Sequence, residues 1–489
     1  MELIKIFFAT KGLWLLGALP RLRLSVSCSY AAFLFLFIFQ AASAEPWINT
    51  ENLSLRSDIE ILSDIGVIRV PITTYPLMWA GIIKDIDNTD IQEVPATYKT
   101  VYWRVKKSGK AALLNKSKRL LTAFVASSEQ TFRSFGDSVR GKAVLTASST
   151  NLNKRFAWNM QVNRVSNPLD GDSFNYDGSY VAAIWGDWIA SVGKVEKWWG
   201  ASWDSANLLS NNARPPVGLT LNRNYSNASE LSVIKWLGPW SLTGFISQLE
   251  DTRRFERPIL SGISFSFKPL DSIEASLRAT AISGGTTEHY RLNFDAKILT
   301  AFDLRWRLPV PSVPVSFYLS LMDEGIENKF STSLFGLSGN INVFDNNWRV
   351  FVETTETFPG GVSEYNRTYE DRVYANGYRL NQRAIGSTYD NDSQVTSLGL
   401  IGNLSQYQSF SAKFQSLKIN LKEHPSFLDS RHTINQDFVD AIRFVVKWQM
   451  QLDRNNQIDV ELDYSDKVID GFGRQDGQYR LAVGLRYYL

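Results

Sequence analysis

The chain has 489 residues, 44% of them hydrophobic, 13% aromatic and 21% charged, which is enough for two or three ordinary domains or one large barrel. The 52 basic against 49 acidic residues leave a formal charge of +3, which excludes a nucleic-acid binder driven by bulk positive charge. A single cysteine excludes a disulfide scaffold and a cysteine zinc cluster, and a mean hydropathy of −0.17 excludes a polytopic helical membrane protein but not a β-barrel.

Residues 1–44 read as a secretory leader. Lys5, Lys11, Arg21 and Arg23 supply a basic start. Ala31 to Phe39 is an uninterrupted apolar run, and Ala42-Ser43-Ala44 supplies a cleavage site before Glu45. The apolar run is too short to span a bilayer as an anchor. Without the leader the chain is about neutral and lacks Cys28, its only cysteine. A cysteine-free exported chain of this size fits the bacterial envelope.

Residues 45–135 read as a helical region. Leu55, Ile59, Leu62 and Ile65 recur at helical spacing, with Ser57-Asp58 as a cap and Gly66 as a stop. Pro76 opens a second helix carrying Met78, Trp79, Ile82, Ile83 and Ile86. A third is expected over about 96–105 and a fourth around Leu113 to Val125. Helices this short need a packing partner.

Residues 136–489 read as a large antiparallel transmembrane β-barrel, so the fold class is mainly β. From about residue 140 the period changes to 2. Phe156 to Val162, Ser272 to Ala279, Phe302 to Leu308, Phe444 to Met450, Ile458 to Tyr464 and Leu481 to Leu489 all alternate. A soluble sandwich alternates too. The segment lengths, the aromatics near strand ends and the charges opposite the apolar face (Glu274, Arg305, Arg307, Lys447, Asp459, Glu461) favour the membrane barrel. Roughly 16 to 20 such segments are present, and bacterial barrels take even numbers. Asp453 to Asn456 and Asn403 to Ser405 read as tight turns; 357–394, 422–440 and 466–478 read as long connections. Short periplasmic turns and long outer loops are the barrel rule.

Candidate chemistry is densest over 186–216. Asp187, Trp188, Trp199, Trp203, Asp204, Asn211, Asn212 and Arg214 combine flat apolar rings with directional hydrogen-bonding groups, as a saccharide requires. The same residue types would equally serve an aromatic girdle or tie down a plug. Tyr378, Arg379 and Arg383 form a second cluster in the 357–394 loop, expected to face outward. Asp390-Asn391-Asp392 resembles a calcium loop but lacks its Gly and terminal Glu. No catalytic motif, metal site or cofactor site is legible. His289, His424 and His432 have no serine paired to them by the sequence.

Asp64 to Ile68, Pro71 to Thr73, Tyr75 to Leu77, the 186–215 block, and Gly377 to Arg379 with Arg383 to Gly386 together make a chain that resembles the Wzi family of capsule assembly proteins. Ser387 stands where a histidine is expected. The resemblance implies an outer-membrane barrel of 18 strands with an N-terminal periplasmic helical bundle, here residues 45–135. It implies a non-enzymatic lectin that binds capsular or extracellular polysaccharide and organises its attachment to the cell surface. Implied partners are that polysaccharide, outer-membrane lipid, and a periplasmic or export-machinery component. A porin or saccharide channel is the alternative.

Overall fold

A computed structural model describes residues 45–489 except for short internal stretches, of which 287–295 and 422–431 are the longest. The leader assigned to 1–44, Cys28, His289 and His424 lie outside the described residues.

Alternation builds the wall. Along Ala296–Arg307, Ile298 and Phe302 point outward while Lys297, Asp303 and Arg305 are buried inward. The same pattern repeats around a closed antiparallel barrel. Phe174–Asn175 and Tyr180–Trp185 both pair with Phe156–Ser166 and count as one interrupted stave, giving 18 among the described residues. The outward face is apolar, with Leu277, Leu398, Leu462 and Leu485 exposed. A closed barrel satisfies every ladder hydrogen bond without an edge, as a membrane demands.

Closure corrects one expectation. The stretch from Leu113 to Val125 is not a fourth helix. Leu113 ends the third helix, and Ser117–Ala126 is the first stave, paired with Tyr479–Tyr488. Leu121 and Val125 are exposed outward while Phe124 is buried inward. Adjacent apolar residues at Leu120-Leu121 hide that period of 2 in the sequence. The wall therefore begins inside the stretch assigned to the helical region.

The two ends of the barrel differ. Connections 153–155, 186–187, 271–272, 406–407 and 452–455 are tight and lie at one end. Connections 127–142, 194–217, 357–393, 420–438 and 466–478 lie at the other and are long. The long ones expected from the sequence fall at this single end.

Three helices sit at the short-turn end: α1 (Leu53–Asp64), α2 (Trp79–Asp87) and α3 (Lys99–Leu113), the last entered through a 3₁₀ turn at Ala96–Tyr98. The cap of α1 is Asn52, whose Oδ1 accepts from Leu55 N at 2.9 Å, rather than Ser57-Asp58. Ile59, Leu62, Ile82, Ile86, Val101 and Val105 form their shared core. Gly109 permits the close approach of α3 to α2, because a Cβ there would lie 2.3 Å from Ile83 Cδ1.

The helices are fastened to the wall by buried charge. Asp64 at the end of α1 accepts from Arg305 at 2.5 Å and from Ser316 at 2.8 Å, with Arg349 at 3.3 Å. Glu274 accepts the Ile72 and Thr73 amides, each at 3.0 Å. Glu274 and Arg305, expected to line a wet lumen, are instead buried against protein.

Candidate functional site: a laced lumen

Three of the long connections turn inward and occupy much of the barrel. Within 194–217, Trp198–Trp199 pairs with Thr74–Tyr75 from the chain between α1 and α2. Trp199 is buried with its ring centroid 5.5 Å from that of Phe245. Trp203 stacks on Phe351 of the wall at 6.0 Å.

Two carboxylates anchor the centre. Glu353, on the stave Asn346–Glu356, accepts the Trp203 and Asp204 amides at 2.9 and 2.8 Å and the Tyr318 hydroxyl at 2.9 Å. Asp204 accepts from Ser134 at 2.7 Å and Gln415 at 2.8 Å, and also from Ser397, Tyr389 and the Lys413 ammonium. Burial pushes the Asp204 carboxyl up, but Lys413 and these donors outweigh it and hold the group below its usual range. A carboxylate so surrounded is a fixed negative post.

The loops are then laced to one another. Asn211 Nδ2 donates to the Ser134 and Asp137 carbonyls, both at 3.2 Å, and Asn212 Nδ2 donates to Ala384 O at 3.1 Å. Tyr378 donates to Leu208 O at 3.0 Å. Arg379 pairs with Asp390 at 2.8 Å and Glu370 at 2.6 Å. Arg383 donates to Gln130 O at 3.2 Å and to Thr131 O. Arg214 pairs with Asp177 at 2.6 Å and Asp172 at 3.1 Å. Gly377 has φ +65°, and a Cβ there would lie 2.2 Å from Tyr369 O, so the turn that delivers Tyr378 needs glycine.

Of the sequence candidates, Trp199, Trp203, Asp204, Asn211, Asn212, Arg214, Tyr378, Arg379 and Arg383 thus come together, and they do so as ties within the plug. Tyr378 and Arg379 are buried inside rather than displayed on an outer face. Their loop folds inward because its tyrosines and arginines find carbonyl and carboxylate partners on the neighbouring loops. Asp187 and Trp188 stand apart at the short-turn end, where Asp187 O accepts from Asn224 N at 2.6 Å. The Asp390 carboxylate is taken by Arg379 and Thr433 rather than arranged as a calcium loop.

A serine does lie beside His432. Ser393 Oγ is 3.4 Å from Nε2, but it donates to the Tyr389 and Asn391 carbonyls at 2.9 Å each. Burial pushes the His432 imidazole down to about 4. Both residues are buried within the laced loops.

The chain matches the profile of the family described as capsule assembly protein Wzi over residues 114–477. It belongs to that family. The solved Wzi of Escherichia coli is 20% identical and superposes with a TM-score of 0.80, over 90% of this chain and 98% of that one. That protein is described as an outer-membrane carbohydrate-binding β-barrel involved in group 1 capsule assembly. A 55.8 kDa uncharacterized protein of the cps region of Klebsiella pneumoniae is 25% identical over 309 residues. The alignment spans 58% of this chain and 59% of that relative.

In this Wzi-family chain the 198–214 part of the block marks the plug. Sequence reasoning missed the residues that receive it: Arg56, Glu353, Lys413 and Gln415. Each is a polar residue within an ordinary helix or stave, and its partner lies 145 to 211 positions away. Ser387, where a histidine was expected, sits 3.0 Å from Ser205 Oγ and helps join two of the inward loops.

Proposed function

We propose that this chain is a non-enzymatic outer-membrane lectin that binds capsular or extracellular polysaccharide and organises its attachment to the cell surface. Membership of the Wzi family supports the capsule role. The carbohydrate-binding description of the E. coli relative supports the ligand class. The observation that carries the reading is the laced lumen. Three loops are tied to the wall through Glu353 and Asp204 and to one another through Asn212, Tyr378 and Arg383. A barrel closed in this way presents a fixed outer surface instead of an open pore. The long loops then face outward and the helices face the periplasm, following the barrel rule. The periplasmic helices are the surface for an export-machinery partner, and the outward apolar band contacts lipid. Weak contacts repeated along a polymer hold it by avidity, without one tight site.

The test is clean deletion of the gene in the host, with cell-bound and released polysaccharide measured separately. A shift from bound to released with total synthesis unchanged supports the proposal. Unchanged partition, together with stable conductance of the purified barrel in a planar bilayer, would transfer the reading to a channel.

A further inference from the structure

The plug does not fill the whole lumen. A cavity of about 660 Å³ remains between the helices and the wall made by the first three and last three staves. Its size lies within the about 300–1,000 Å³ of small-ligand sites. Its depth is closed by the plug: Arg140 pairs with Glu196 at 3.0 Å and donates to the Asn211 and Asn212 carbonyls. Its opposite margin is made by Asn52, Ser54, Gln406, Tyr407 and Tyr488. Tyr407 in that margin is 58% exposed. The cavity therefore opens at the short-turn end, away from the long loops.

Most of the lining is uncharged and hydrogen-bonding. Thr146, Ser148 and Thr150 project from Ala143–Leu152, and Asn159, Gln161 and Asn163 from Phe156–Ser166. Gln449, Gln451 and Gln457 face them. Amides and hydroxyls both donate and accept, as sugar hydroxyls do. Two buried polar atoms here, Asn159 Oδ1 and Tyr180 Oη, have no hydrogen-bond partner among the described residues. A stranded buried polar atom calls for a ligand or water. Trp47 stands beside Tyr180, with ring centroids 4.5 Å apart, and adds an apolar surface at the same place. Its charged residues are mixed, Glu45, Glu51, Asp177 and Glu196 against Lys118, Arg140 and Arg486, so the walls offer no single sign of charge to an ionic ligand.

We infer that this cavity is a saccharide subsite inside the barrel, open at the short-turn end, that takes a neutral stretch of the polymer or its free end. The inference rests on the polysaccharide-binding reading and adds a second place of contact, reached from the side opposite the outer loops.

Ser148 points into the cavity, and Ser148→Cys changes little in volume. The variant is made with Cys28→Ser so that position 148 carries the only thiol. Folding is checked by heat-modifiable migration. The folded protein is treated with a small maleimide, with and without short oligosaccharides cut from the host's own surface polysaccharide. Ligand at ten times its Kd leaves about one molecule in eleven free, so alkylation should slow about tenfold. Asn159→Leu, which removes a stranded acceptor, should largely abolish that protection. In parallel, the unaltered protein is tested for capture of the intact polymer. Capture without protection of position 148 overturns the cavity and leaves the lectin reading standing. Neither capture nor protection overturns both.

Discussion

The guanidinium carbon of Arg56 stands 4.2 Å from the ring centroid of Trp203, and Arg56 Nη2 donates to Ala201 O at 2.8 Å. Arg56 belongs to α1 and Trp203 to the first inward loop. Phe351 on the wall and the Arg349 guanidinium, at 5.5 Å, also neighbour the indole. Helix bundle, plug and wall therefore meet at one side chain. A cation over tryptophan contributes up to about 2 kcal/mol when desolvated, and the ring itself contributes more through burial.

Trp203→Ala should loosen the plug while leaving the strand ladder closed. Truncating a buried tryptophan costs about 3–5 kcal/mol. Here it also removes the ring facing Arg56. The expected result is a barrel that still migrates as folded but is cleaved faster by protease within 194–217. Conductance events in planar bilayers should be more frequent than with the natural chain. A variant as silent and as protected as the natural chain would show that the indole does not hold the plug.

The same region should respond to acid with a definite sign. Burial raises the Asp204 carboxyl and Lys413 with its companions lowers it further, so its folded value is depressed. The free value is about 3.9. A depressed carboxylate stabilises the fold fully above its free value and loses that contribution as pH falls through the folded one. The contribution of Asp204 to the plug should therefore be unchanged from neutral pH to about 4 and fall only below. Protease susceptibility of 194–217 against pH reads this directly. Asp204→Asn should flatten that dependence and cost about 3–5 kcal/mol, because Lys413 keeps its charge without the carboxylate. Weakening that begins near neutral pH would assign the transition to another group.

The wall was the most legible part of the chain, because a period of 2 is local and repeats. Phe302, Asp303, Arg305 and Trp306 announce their faces within a few residues. The plug was half legible. Trp199, Trp203, Asn211 and Arg214 stand out by type, yet the same types suit a sugar site, and only their partners decide between the two. Those partners, such as Glu353 and Gln415, are single residues on alternating strands and look like any inward polar position. Ser117–Ala126 escaped notice for the converse reason: its run of apolar residues blurs the alternation next to a genuine helix.

Asp64→Ala should release the helices from the wall. The substitution removes the nearer carboxylate from buried Arg305 and Arg349 and leaves them Glu60 alone, 3.6 Å from each. Breaking a buried pair from one side costs about 3–5 kcal/mol. Because the ladder hydrogen bonds do not involve Asp64, the loss should be local. Protease cleavage in the segment 65–78 should accelerate while heat-modifiable migration of the barrel is kept. Loss of the folded barrel itself would mean that the bundle is needed for closure, not merely docked upon it.

Asp187 and Asp204 make the sharpest contrast among the residues first picked out by sequence. Both lie in the same Trp-rich block, but Asp187 is exposed at a tight turn and Asp204 is buried among five donors. A surface substitution away from special contacts usually changes stability by no more than about 0.5 kcal/mol. Asp187→Ala should accordingly leave both stability and cell-bound polysaccharide at the natural level. Asp204→Ala should lower cell-bound polysaccharide through the disordered plug, with released material rising in step. The comparison is made in the deletion host carrying each variant at matched outer-membrane abundance. A drop in retention with Asp187→Ala and a stable barrel would place a working contact at the short-turn end, on the surface that carries Asp187 and Trp188.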